Sequence, residues 1–203
     1  MHQAAVRHLK KADPVMARVV DVVGPCRFRP ITDATHFHHL ARAIVYQQLS
    51  TKAATTIFGR VLALCGTSLE PDSVLAQPDE ALRSAGLSSQ KTRYVKDLAA
   101  HVRDDRLPLD RLDQMDDREV IAALRQVKGI GVWSAQMFLI FRLGRPDVLP
   151  VLDLGIRKGV QRAYGLRRLP ALRYVERIGK RWSPYSTIAS WYLWRLLDQP
   201  AEP

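Results

Sequence analysis

An all-α fold is predicted for this 203-residue chain, and three observations predict it. Apolar residues recur three and four apart through most of the sequence, and no stretch shows the strict alternation of a half-buried strand. The periodic runs end at helix-stopping residues such as Gly24-Pro25, Gly86 and Gly144. No internal repeat or low-complexity tract interrupts them. The length suits one domain or two small lobes with a sizeable core.

Lys and Arg number 31 against 20 Asp and Glu, a formal net charge of +11. The charges run along the chain rather than gathering in a tail, which points to a polyanionic partner, a merely basic surface being the plain alternative. No run of about 18 apolar residues is long enough to span a bilayer, and MHQAAVRHLKK lacks the apolar core of a signal peptide, so a cytoplasmic protein is expected. Cys26 and Cys65 make no disulfide framework and cannot supply the four thiolates of an iron–sulfur cluster. Both are read as buried, inert thiols.

In chain order, residues 1 to 30 hold one helix, Asp13 to Val23, with Pro14 in its first turn and a buried stripe of Val15, Val19, Val22 and Val23. From Thr35 two consecutive helices follow, the first ending near Gln48 and the second running from Ser50 or Thr51 to Cys65. His36, His38 and His39 are spaced two and one apart, which puts no ligand pair on one helix face, so they are read as solvated or capping residues. Pro71-Asp72 and Pro78-Asp79 each open a short helix. Ser88 to Val102 forms another, with Lys91, Arg93 and Lys96 on an exposed face. A polar connector, Arg103 to Asp117, leads on to the stretch that carries the chemistry.

That stretch is LRQVKGIGVWSAQMFLIFRLGRPDVLPVLDL, Leu124 to Leu154. A first helix (Val120, Ile121, Leu124, Val127) breaks at Gly129-Ile130-Gly131 and resumes in a second (Trp133, Met137, Ile140, Phe141). Glycines at both ends of the break permit positive φ and bare the backbone, while Ile130 anchors the turn in the core. The N–H groups opening the second helix then form an anion site suited to a DNA phosphate, the alternative being an ordinary helical hairpin turn. Beyond Gly144-Arg145-Pro146-Asp147, an extended Val148 to Leu152 leads to Asp153. Asp153 reads as the N-cap of the next helix, as a carboxylate at the mouth of a pocket, or as both. The chain closes with helices near Leu154 to Tyr164, Leu169 to Trp182 and Ser183 to Leu197.

VKGIGVWSAQMF followed by DVLPVLDLGIRKG resembles the helix-hairpin-helix DNA glycosylases, specifically the 3-methyladenine DNA glycosylase II (AlkA-like) branch. AIVYQQLSTKAA, GLSSQKTRYVKDLA and RWSPYSTIASWYLW extend the resemblance over most of residues 35 to 198. It implies a helix-hairpin-helix fold in two helical lobes within a single domain spanning 1 to 203, lobe one at about 35–125 and lobe two at about 1–34 plus 126–203. The N-terminal β-rich lobe of some bacterial members is not expected.

The implied activity is monofunctional: an alkylated purine is flipped out of duplex DNA and its glycosidic bond hydrolysed, leaving an abasic site for base excision repair. Asp153 is implied as the catalytic carboxylate, with Asp147 a turn residue. The base pocket is implied at Trp133, Met137 and Trp194, where an aromatic face attracts a cationic base. The minor-groove wedge is implied at Gln48 and Leu49, and phosphate binding at Gly129, Gly131, Val132 and Ser134. Carbonyls of Arg125, Val127 and Ile130 are implied as ligands of a monovalent cation, Na+ or K+, while no catalytic metal or organic cofactor is expected. The partner is double-stranded DNA bearing alkylated bases, met by a monomer away from any membrane.

Bifunctional members place a lysine two residues beyond the second glycine of the turn, and Trp133 stands there. Lys128, Met137 and Leu152 depart from the family pattern, which leaves the reaction unchanged and bears on substrate range. The alternatives are a bifunctional glycosylase/lyase for oxidised bases, a non-catalytic helix-hairpin-helix DNA-binding module, and a structural helical protein.

Overall fold

The computed structural model describes residues 2–66 and 69–200. In chain order its helices are Gln3–Ala12 (α1), Pro14–Val23 (α2), His36–Tyr46 (α3), Thr51–Cys65 (α4), Pro71–Leu75 (α5), Asp79–Ser84 (α6), Ser89–Arg103 (α7), Asp117–Leu124 (α8), Val132–Phe141 (α9), Leu154–Ala163 (α10), Leu172–Gly179 (α11) and Ser186–Asp198 (α12). No strand occurs among the described residues, as the periodicity predicts. Caps set many of the starts: the side chains of Asp13, Thr35, Ser50, Ser88 and Asp116 each accept first-turn N–H groups that have no partner within the helix.

The chain divides into two compact units, residues 1–30 with 144–203, and residues 31–143. The terminal segments thus share a unit, but the division falls after Leu143 rather than near residue 125. Both helices of the hairpin therefore belong to the unit of 31–143. The physical reason is packing: α8 lies on α9 and α9 on α3, so the hairpin shares a core with Leu40, Ile44 and Val45.

In the unit of 31–143, α3 is the central helix and packs against α4, α7 and α9. In the terminal unit, α12 packs against α10 and α2, and α1 lies along α2. Its tie point is Asp13, fully buried, whose Oδ1 accepts the N–H groups of Val15 (2.9 Å) and Met16 (3.4 Å). Its Oδ2 accepts the indole N–H of Trp182 at 3.1 Å and the hydroxyl of Tyr164. Burial, with the Asp13 carboxylate beside it, pushes the Tyr164 hydroxyl far above the usual tyrosine range. One carboxylate so joins the first thirty residues to α10 and to the approach to α12.

Two expectations are corrected here. Helix α1 has no counterpart in the predicted elements, because only Ala5 and Leu9 of it are buried and no side chain caps its start. The buried face of α2 is Met16, Val19 and Val20, while Val22 is 51% exposed, so the stripe is centred on Met16 and Val19 to Val20 rather than running through all four valines. Charge is also unevenly divided: the terminal unit holds 17 Lys and Arg against 7 Asp and Glu, the unit of 31–143 holds 14 against 13.

Candidate functional site

In the terminal unit, the loop preceding α10 is tied down by the other candidate carboxylate. Asp147 accepts the hydroxyl of Ser183 (2.6 Å) and the N–H of Ser186 (3.0 Å), and Thr187 accepts the Val148 N–H at 3.1 Å. Burial works against ionisation of Asp147, and the hydrogen bonds from Ser183 and Ser186 outweigh it, leaving its pKa below the usual value. Asp147 is a tether that fastens the loop to the start of α12.

Asp153 then caps α10. Its Oδ1 accepts the Ile156 N–H at 2.8 Å and the indole N–H of Trp194, from α12, at 3.0 Å. The N-cap is therefore also the residue that meets a predicted pocket tryptophan. Two converging donors fix the carboxylate's rotation, one from the backbone of its own helix and one from the neighbouring helix. Leu152 and Leu154 on either side are each 52% exposed, so the half-buried carboxylate has an apolar rim. Gly155 makes the arrangement possible. A Cβ there would stand 2.9 Å from Asp153 Oδ1 and 2.9 Å from Trp194 Cδ1.

In the unit of 31–143, the hairpin turn departs in part from expectation. Gly129 has φ +86°, and a side chain there would stand 2.2 Å from the ring of Tyr94 on α7. Gly131 has φ −94°, ordinary extended backbone, and serves as N-cap of α9. Only the first glycine uses the left-handed region, because one reversal suffices to turn the chain. Gly131 offers no side-chain acceptor to the amides that open α9, including those of Val132 and Ser134. Ile130 is buried as predicted. Asp97 of α7 holds the approach to the turn by accepting the Lys128 N–H at 2.8 Å.

The inward face of α9 is Ala135, Phe138, Leu139 and Ile140. Of the periodic set, Ile140 is buried, whereas Trp133 and Met137 do not face the core. Trp133 is 43% exposed and Met137, one turn on, half-buried. An apolar run with large residues on every face gives periodicity no direction to read.

At the corner between α3 and α4, Gln48 adopts φ +56° and Leu49 is 40% exposed. Gln47 Nε2 donates to the Gly129 carbonyl at 2.9 Å, coupling this corner to the hairpin turn. Lys91 of α7 donates to the carbonyls of Val45 and Gln47, each at 2.6 Å. Its ammonium sits where the last carbonyls of α3 concentrate negative partial charge. Burial lowers its pKa. The predicted exposed role for Lys91 is corrected by this, and the spacing held the clue, since Lys91, Val95 and Leu98 fall on one face of α7. Gln47, Tyr94, Asp97 and Gly155 were likewise not predicted, and only the helical register of Tyr94 and Asp97 hinted at them.

The histidines are less solvated than expected. His36 accepts from Arg142 Nε at 2.9 Å and lies edge-on to Phe138. Burial, followed by the positive charges of Arg142 and Arg42, lowers the His39 pKa to about 4. No cluster of three or more His, Cys, Asp or Glu side chains able to hold a metal ion occurs among the described residues.

A hairpin offering backbone amides, an exposed apolar residue on an adjoining corner, and one carboxylate fixed at a helix N-terminus are what a helical DNA-binding protein with a catalytic carboxylate requires. The comparisons make the class specific: residues 41–184 match the HhH-GPD superfamily base excision DNA repair protein family, and the chain belongs to that family. It is 34% identical over 192 residues to the DNA-3-methyladenine glycosylase 1 of Schizosaccharomyces pombe, covering 93% of this chain and 84% of that protein. Among solved structures, the S. pombe 3-methyladenine DNA glycosylase in complex with abasic DNA superposes with a TM-score of 0.86 at 31% identity, covering 99% of this chain and 100% of that one. The DNA-3-methyladenine glycosidase of Bacillus halodurans gives 0.86 at 38% identity, over 94% and 87%. No helix among the described residues is long and apolar enough to cross a membrane.

Proposed function

We propose that the protein is a monofunctional DNA glycosylase that removes alkylated, cationic purines such as 3-methyladenine from duplex DNA and leaves an abasic site. The observation that carries this reading is Asp153, a single carboxylate fixed by Ile156 N–H and Trp194 Nε1–H within a chain of this family. As the glycosidic bond breaks, electrons leave with the base and positive charge builds on the sugar. A preorganised carboxylate stabilises that charge and orients the attacking water. Water is the nucleophile because Trp133 stands where bifunctional relatives place an amine, so no Schiff base forms there.

The remaining residues take their parts around this step. The amides of Gly129, Gly131, Val132 and Ser134 receive a phosphate without reading sequence. Leu49, presented by the left-handed Gln48, fills the gap left by the extruded nucleotide. Trp194, bonded to Asp153, is taken to offer an aromatic face to the base, and Trp133 and Met137 on α9 are each assigned to base recognition as well. A monovalent cation fits the Arg125, Val127 and Ile130 carbonyls, which follow the negative end of α8; Val127 accepts only the Ile130 N–H at 3.1 Å among the backbone bonds of the turn and keeps a second lone pair. Such an ion adds positive charge near the bound phosphate. The protein acts as a monomer in the compartment that holds the DNA.

The test is base release from duplexes carrying a single 3-methyladenine or 7-methylguanine. Asp153→Asn is expected to bind the duplex as wild type does and to release base at least about 10²-fold more slowly. Wild-type turnover by Asp153→Asn, or no release by the wild type, would refute the reading.

A further inference from the structure

The two units differ in charge in a way the hairpin does not account for. The terminal unit has 17 Lys and Arg against 7 acids, and residues 157–181 alone carry nine against the single Glu176. On α11, Val175, Ile178 and Gly179 face inward, while Arg173, Arg177 and Lys180 are exposed at a spacing that aligns them on one side. Arg167 and Arg168, on the loop leading to α11, are exposed as well. Elsewhere Lys10 pairs with Asp21 and Lys96 with Asp79. These five cations form no ion pair among the described residues.

The strip is fastened to the candidate site. Arg157, one turn beyond Asp153 on α10, donates through Nε (3.1 Å) and Nη2 (3.0 Å) to the carbonyl of Pro170, which ends the loop carrying Arg167 and Arg168. A sugar that reacts at Asp153 is joined to phosphates on both sides, so its strand must run on across the surface of this unit. The seven helical steps from Arg173 to Lys180 rise about 10 Å, which matches about three phosphates of one strand at roughly 3.4 Å of axis per charge.

We propose that Arg167, Arg168, Arg173, Arg177 and Lys180 form a second DNA-backbone surface, distinct from the hairpin, that supplies most of the salt-dependent affinity. This rests on Asp153 being the site at which DNA reacts. The hairpin positions the duplex through neutral amides; the strip holds the flanking phosphates through charge and releases counterions.

The experiment titrates an undamaged duplex of about 20 base pairs with the full-length protein at several salt concentrations, so its outcome does not depend on base release. Each lost phosphate contact lowers the slope of log K against log salt by about 0.9. The Arg167→Gln/Arg168→Gln pair is expected to lower it by nearly 2, and adding Arg173→Gln and Arg177→Gln by about 3.5 in all. The four Arg→Lys replacements keep the charge and the wild-type slope. A wild-type slope in both Gln variants would overturn the proposal and leave the strip to another partner, such as an acidic protein. A slope lost equally in the Lys variant would overturn it too, since charge would then not be the cause. If the wild type releases no base while the Gln variants lose slope, the glycosylase reading fails and the surface stands.

Discussion

Gly155→Ala isolates the geometry of the carboxylate from the stability of the fold. Position 155 lies in the first turn of α10 with an ordinary negative φ, so alanine is conformationally allowed and its helix propensity favours the fold by about 1 kcal/mol. The added methyl would stand 2.9 Å from Asp153 Oδ1, 2.9 Å from Trp194 Cδ1 and 3.0 Å from Trp194 Nε1. Either the carboxylate rotates or the indole withdraws, and both break the 3.0 Å bond between them. A hydrogen bond to a charged group contributes about 1.5–3 kcal/mol, which corresponds to roughly 10- to 100-fold in rate if it is realised in the transition state. Relieving the contact costs about 1 kcal/mol or somewhat more, so stability stays near that of the wild type. Single-turnover release of 7-methylguanine should therefore fall about 10- to 100-fold, with the urea midpoint nearly unmoved. Trp194→Phe, which removes the donor without adding volume, should show a similar loss. The double variant should be no worse than the poorer single one, because both act on one bond. A wild-type rate in Gly155→Ala would refute the idea that this bond orients the catalytic group.

Three further outcomes follow from other buried polar contacts. Asp13→Ala strips the acceptor from Val15, Met16, Tyr164 and Trp182 and should cost about 3 kcal/mol or more in urea unfolding. His39 has a folded pKa of about 4 against roughly 6.5 unfolded, so the unfolded chain binds more protons between those values. Its contribution to stability is complete above about pH 6.5 and is lost as pH falls toward 4; His39→Phe should flatten that part of the stability curve, measured by denaturant midpoints from pH 7.5 to 4.5. Lys91→Met releases the carbonyls of Val45 and Gln47 and should slow base release about tenfold, while the salt slope of DNA binding, which a phosphate-contacting lysine would lower by about 0.9, stays constant.

What was legible in the sequence was the local grammar. Ser50 and Ser88 marked helix starts to within a residue, and Gly129-Ile130-Gly131 marked the hairpin, because capping and turn chemistry are written in neighbouring residues. Asp153 and Trp194 were both legible as candidates, but not that 3.0 Å separates them, since they lie 41 positions apart in the chain. The contacts of Gln47 with Gly129 and Lys91 with Val45 span 82 and 46 residues and are equally non-local. Helix α1 was missed because its pattern is mostly polar, and α9 was misread because its apolar residues surround it. The lobe boundary was misplaced for a related reason. The chain gives a turn signal at the hairpin but none for the packing of α9 against α3.

The fixed carboxylate also bears on which bases leave. An N-alkylated purine enters carrying positive charge and departs neutral, so bond breaking moves that charge from base to sugar. A group that gains attraction only as the sugar becomes positive stabilises the transition state more than the bound substrate, the condition for raising kcat. Asp153 in its proposed role is one such group, and its bonds from Ile156 and Trp194 mean that it need not reorganise as charge arrives. It gives no help to the departing base itself, and a base that starts neutral must acquire a proton before it can leave. Hypoxanthine should consequently be released at least about 10²-fold more slowly than 7-methylguanine at neutral pH, a difference that should shrink as pH falls and protonation of the base becomes easier. Equal, pH-independent rates for the two bases would mean that the protein protonates its leaving group, and the assignment of Asp153 as the only catalytic side chain would then be wrong.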